Sequence, residues 1–186
     1  MLKFFSLIVV FVLSGCGLLD LFKGSFSGNN WEIEKIVIQG KSYDGLRGMK
    51  DHALKLLSTK DEVKDDAQNN QDPLASMDGN QEMSPEDLQE LAQKDNVSSL
   101  RFDTKQNRIY GDAGCNNFSA DYSWKDADDI EIYEINITRR ICNPPSLMDF
   151  ELLFAQNLKG LFFVEKKGKT AMILRNKDVQ IYLKSL

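Results

Sequence analysis

The sequence predicts an α+β domain: an antiparallel sheet of about eight strands, curled into a small barrel-like fold, with one long helix packed against it. Three observations carry this expectation. From residue 97 onward, short runs rich in β-branched and aromatic residues recur, many of them alternating apolar with polar positions. Short stretches of Asn, Asp, Gly and Lys separate them, which suits hairpins rather than long crossovers. One apolar stripe at helical spacing, Leu147, Phe150, Phe154 and Leu158, follows Pro144-Pro145. A hairpin-linked sheet of this size shortens or removes its exposed edges by curling.

The chain opens with a different kind of segment. Lys3 is the only charge before the largely apolar run Phe4 to Leu13. A bilayer span needs roughly 20 apolar residues, so this run reads as the h-region of a secretory signal, residues 1–15. It ends in Leu13-Ser14-Gly15-Cys16, which resembles the bacterial lipobox. That resemblance implies a diacylglyceryl group on the Cys16 sulfur, cleavage before Cys16, and a lipid-anchored protein of the cell envelope. Gly17 rather than Asp at the next position favours the outer membrane over inner-membrane retention. Residues 16–30 then serve as a lipidated tether.

Two cysteines remain, Cys115 and Cys142. An even number in an oxidising compartment is expected to pair. The alternatives are two free buried thiols or a metal site, which would want about four ligands. The only histidine, His52, lies where the core is not expected.

A strand begins at Trp31, with Trp31, Ile33, Lys35 and Val37 on one face and Glu32, Glu34, Ile36 and Ile38 on the other. Gly40 ends it. No aromatic residue occurs between Tyr43 and Phe102, so about 44–97 reads as an insert that contributes little to the core. Leu46, Met49, Ala53, Leu56 and Leu57 still fall at helical spacing. The stretch 61–81 is rich in Asp, Asn and Gln and is expected to be disordered or mobile. Ser84-Pro85-Glu86-Asp87 offers an N-cap, a proline at N1 and an acidic first turn, predicting a helix to about Gln93. Residues 60–95 carry eleven acidic residues against three lysines, while the whole chain is only −5. The acidity belongs to the insert, and no basic surface suggests nucleic acid.

Strands are predicted at Ser99–Asp103, Arg108–Asp112, Phe118–Trp124 and Ile130–Ile137, the last two with Phe118, Ala120, Tyr122 and Trp124 on one face and Ile130, Ile132, Ile135 and Ile137 as apolar markers. Ser146 is expected to cap the helix. Leu161–Glu165, Thr170–Leu174 and Val179–Leu183 complete a single domain, 31–186.

Gly111-Asp112-Ala113-Gly114-Cys115-Asn116-Asn117-Phe118 and Thr138-Arg139-Arg140-Ile141-Cys142, followed by a helix with Glu151 and Phe154, resemble the META domain family of HslJ-like bacterial lipoproteins. Trp31 fits that family's opening strand. The likeness covers about 31–43 and 98–183, and the insert is longer than the family pattern. The motif residues are thus Trp31, Gly111, Gly114, Cys115, Asn116, Phe118, Thr138, Arg139, Cys142, Glu151 and Phe154.

Read physically, Gly111 and Gly114 suit positive φ or close backbone approach. Asn116 can bond backbone amides, and Phe118 can enter the core. A Cys115–Cys142 bridge would tie two strand ends ahead of the helix. These roles are structural. The competing reading is a binding surface around Asn116, Arg139 and Arg140.

The resemblance implies a noncatalytic envelope protein involved in stress or antibiotic tolerance; no cofactor is expected, the shortage of ligands beside the two cysteines argues against a metal, and a monomer is expected. The residues agree: there is no G-x-S-x-G, and a cysteine nucleophile would need a free thiolate with a base beside it. A second expectation is an inhibitor or chaperone-like binder of another envelope protein, acting through the insert or a sheet edge. A carboxylate-based hydrolase is the third. Finally, Glu134-Ile135-Asn136-Ile137-Thr138 matches the acidic form of a bacterial N-glycosylation sequon, in a strand where Asn136 would be poorly accessible.

Overall fold

The computed structural model describes residues 30–62 and 83–186. The signal, Cys16, the tether up to residue 29 and most of the 61–81 stretch therefore lie outside the described residues, while Asn30, expected to end the tether, opens the first strand.

Alternating side chains build one antiparallel sheet of nine strands. In chain order they are β1 (Asn30–Ile38), β2 (Lys41–Asp44), β3 (Ser99–Asp103), β4 (Arg108–Asp112), β5 (Asn117–Trp124), β6 (Asp129–Ile137), β7 (Gly160–Lys167), β8 (Ala171–Arg175) and β9 (Val179–Ser185). From β3 to β9 each strand pairs with the next, and β9 returns to pair with β1 from Trp31↔Ser185 to Ile38↔Val179. Eight strands thus close a barrel. One edge of β1 is shared: Asn30–Glu32 pair with β3, and Lys35–Ile38 pair with the short β2. The sequence does not announce β2, because Lys41-Ser42-Tyr43-Asp44 has little strand propensity of its own and is held by its hairpin partner.

Two bulges decide which residues face inward. In β1 the pairing with β9 shifts between Ile33 and Lys35, so the alternation changes phase. Trp31 and Ile33 are buried before the bulge and Ile36 after it, whereas Lys35 and Val37 leave the inner face assigned to them by strict alternation. In β6 the register shifts opposite Ser119 and Asp121, and Glu134 adopts φ 51°. Ile130 and Ile132 face inward before it, and Ile135 and Ile137 pack on the core after it.

The barrel interior is filled by side chains, among them Ile33, Ile36, Ile109, Tyr122, Phe162 and Ile181. Phe102 meets Tyr122 edge-on at 5.6 Å between ring centroids. Burial pushes the Tyr122 phenol up to about 12, with a smaller contribution from Asp103.

Among the described residues, three helices complete the fold: α1 (Leu46–Glu62), α2 (Pro85–Ala92) and α3 (Pro145–Asn157). Ser84 caps α2, its hydroxyl accepting the Asp87 N–H at 3.1 Å, as the sequence predicts. The cap on α3 differs from expectation. Pro145 already occupies the first turn and Pro144 is the N-cap, so Ser146 lies inside the helix; its buried hydroxyl has no hydrogen-bond partner among the described residues.

The insert also contributes more than its lack of aromatics suggested. Leu46 and Ala53 of α1, Leu88 and Leu91 of α2, and Leu147 of α3 form a second buried cluster. Fully burying each leucine is worth roughly 1.5–3 kcal/mol, enough to dock both helices. Arg47 reinforces the docking from α1, bonding the buried carboxylate of Glu32 on β1 at 2.5 Å; that bond raises the Arg47 pKa. In α3, Phe150 and Phe154 join the barrel core while Leu147 joins the second cluster. This helix therefore links the two.

Candidate functional site

Loop 113–116 leaves β4, turns and enters β5. Gly111 permits this, since a β-carbon there would overlap the Phe118 ring and the carbonyl oxygen of Ser99. Gly114 turns the chain at φ 136°, a conformation that favours glycine. Asp112 supports the turn, its Oδ1 accepting the Gly114 N–H at 2.8 Å. The disulfide Cys115–Cys142 then joins this loop to the segment after β6, with 6.3 Å between Cα atoms, an ordinary span for the bond.

Glu151 of α3 reaches under the loop and is 2% exposed. Its Oε1 accepts the N–H groups of Cys115 at 2.6 Å and Asn116 at 2.5 Å. Its Oε2 accepts the Asn116 side-chain amide at 2.7 Å. Asn116 passes the connection on. Its Oδ1 accepts from the Thr138 hydroxyl and the Arg140 N–H, both at 2.8 Å, and its amide also donates to the Arg140 carbonyl at 3.2 Å. Thr138 Oγ1 in turn accepts the Asn117 N–H at 3.1 Å. Phe118 and Phe154 close the apolar side, their rings edge-on at 5.2 Å.

The structure thus brings together Gly114, Cys115, Asn116, Thr138, Cys142 and Glu151, with Gly111, Phe118 and Phe154 packed beside them. Two motif residues stand apart. Trp31 is buried in the barrel core, its Nε1 without a hydrogen-bond partner among the described residues. Arg139 is exposed, and its side chain forms no ion pair with a described residue. The Asn136 of the sequon is exposed on β6, opposite Ser119, and its amide donates to the Glu134 carbonyl at 3.0 Å.

Other participants are not among the eleven motif residues. Buried Ser98 donates to the Ala113 carbonyl at 2.8 Å and accepts the Leu46 N–H at 3.3 Å, joining the loop to α1. Asn96 donates to the Gly114 carbonyl at 2.7 Å. Met148 Sδ accepts the Cys142 N–H at 3.3 Å. Only Asp112 was accessible in principle, because Asp two residues before Gly suits a side-chain-supported turn.

Chemically, the arrangement is a clamp. Cys115, Cys142 and Glu151 are the one group of potential metal ligands within mutual reach among the described residues. With the sulfurs joined to each other, the group offers a single carboxylate, already accepting three N–H bonds.

Comparison with known proteins shows a family and a fold. The META domain matches residues 73–185, beginning inside the insert and leaving β1 outside the matched stretch. No curated protein matches. An NMR structure of a protein from Burkholderia xenovorans is similar at 13% identity, covering 89% of this chain and 87% of that one, with a TM-score of 0.52. A second NMR structure is 14% identical, covering 87% and 92%, with a TM-score of 0.47. The first likeness extends to the fold alone. The chain belongs to the META domain family.

Proposed function

We propose that this is a noncatalytic binding protein of the bacterial cell envelope, tethered by lipid on Cys16 and acting in envelope stress or antibiotic tolerance. One observation carries the noncatalytic reading: the motif cluster is closed on itself. Glu151 Oε1 holds two backbone N–H groups and Oε2 holds the Asn116 amide, the Asn116 side chain holds the Arg140 backbone, and the two sulfurs are bonded to each other. Such a cluster stiffens two loops and leaves no activated nucleophile with a base beside it. The lipobox-like Leu13-Ser14-Gly15-Cys16 supports the tether, and a disulfide suits an oxidising compartment.

A deletion strain complemented with wild type, Cys16→Ala or Cys115→Ser tests the reading. We expect both variants to lose resistance to envelope stress. Full rescue by Cys16→Ala removes the tether from the proposal.

A second reading is an inhibitor or chaperone-like binder. The outer edge of β2 favours it, since β2 pairs only with β1 among the described residues. Deleting 60–95 and comparing captured envelope proteins tests the insert's share; unchanged capture removes it.

A further inference from the structure

The closed cluster has an open product: the segment Arg139-Arg140-Ile141. Ile141 is 92% exposed, the highest value among the exposed large apolar residues described. It does not hang on a slack loop. Asn116 grips both the N–H and the carbonyl of Arg140 on one side, and Cys142 is tied by the disulfide on the other. Met148, 37% exposed, extends the apolar surface, because its sulfur accepts the Cys142 N–H. Leu152, 58% exposed, lies one turn further along α3. The flanking charges are cationic: neither Arg139 nor Arg140 has a carboxylate partner among the described residues. The exposed carboxylate of Asp149 is on the same helix, about 100° round from Met148.

We propose that Arg139, Arg140, Ile141, Met148 and Leu152 form a docking face for an anionic lipid bilayer. Charge complementarity selects this occupant. Guanidinium groups pair bidentately with lipid phosphates, and a protruding isoleucine backed by Met and Leu fits the boundary between headgroups and acyl chains. Three exposed apolar side chains are a small area for a stable protein interface, yet suffice as an adjunct to a lipid tether. Pre-organisation by Asn116 and the disulfide lowers the entropy lost on docking. The inference takes its setting from the membrane-tethered reading above, and its test separates the two.

The full chain is placed on phosphatidylglycerol–phosphatidylcholine vesicles with brominated acyl chains. Ile141→Trp reports insertion by quenching and a blue shift. Lys105→Trp, in the β3–β4 turn at the far end of that hairpin from loop 113–116, is the control. Mass analysis of the N-terminal peptide reports acylation independently. Strong quenching at position 141 and weak quenching at 105 is expected. It should fade on phosphatidylcholine alone, and with Arg139→Ser plus Arg140→Ser the docked-to-undocked ratio read from quenching at 141 should fall about 30-fold, taking about 1 kcal/mol for each arginine. Those substitutions remove no described side-chain bond, so the fold should persist. Quenching at 141 on an unacylated chain upholds the docking face and overturns the tether. No quenching at 141 on an acylated chain overturns the docking face, as does equal quenching at both positions, or capture of a second copy or another protein through Ile141 instead.

Discussion

Asn116 and Glu151 hold each other through two bonds, the Asn116 N–H to Oε1 at 2.5 Å and its side-chain amide to Oε2 at 2.7 Å. The pair joins the β4–β5 loop to α3 across 35 residues of sequence, and Asn116 carries the hold onward to Arg140.

Glu151→Ala should therefore be among the costliest polar substitutions in the domain. It leaves the N–H groups of Cys115 and Asn116 and one amide proton without an acceptor. Bonds to a charged acceptor are worth about 1.5–3 kcal/mol each, and they do not add fully. A loss of about 3–5 kcal/mol is expected in urea unfolding, with Glu151→Gln retaining roughly half because it keeps one acceptor oxygen. A cost below about 1 kcal/mol for the alanine variant would sink this account of the cluster.

Replacing both Cys115 and Cys142 by serine should lower stability by about 3–4 kcal/mol, from a separation of 27 residues and the chain-entropy model. Hydrogen exchange should become faster at the Arg140 amide than at the core of β5. If the Arg140 amide keeps its protection in the double variant, Asn116 alone pins the segment.

Gly111→Ala should be poorly tolerated despite its single added methyl. The new carbon meets the Phe118 ring and the Ser99 carbonyl oxygen, and backbone on that side cannot yield cheaply. Overpacking of this kind costs about 1–3 kcal/mol or more. Thermal unfolding measures it, and an unchanged midpoint would show that Phe118 can move aside.

Tyr122 sets a limit at high pH. Its phenol is pushed up to about 12 by burial, against an ordinary value near 10. The folded state therefore keeps the proton longer than the unfolded chain. The resulting stability is present below about pH 10 and is lost as pH rises toward 12. Ultraviolet titration should show one late phenolate step that Tyr122→Phe removes. A full-amplitude late step in that variant would assign it to another tyrosine.

Much of the barrel was legible because its cues are local. The strands from β3 to β9 alternate and are punctuated by turns, and the α3 stripe follows the helical period. The pairing of Cys115 with Cys142 was expected from their even number together with the resemblance of the first residues to an export signal, and the disulfide is present. Cys16 lies outside the described residues, and the lipid anchor proposed there rests on sequence alone.

What the tertiary structure decided was long-range. The bulges at Glu34 and Glu134 invert the inward face partway along a strand, and only register against β9 and β5 shows where the extra residue sits. β2 exists because β1 offers it an edge. The second apolar cluster needed Leu147 brought beneath Leu46 and Leu91 from distant sequence. For the site, the sequence by itself determined the motif residues and the α+β barrel class. That Glu151 is the acceptor for two loop amides, and that Arg139 projects away, depended on where closure of the barrel placed α3. Periodicity is a property of neighbouring residues; hydrogen-bond partners tens of residues apart are set only when the sheet has closed.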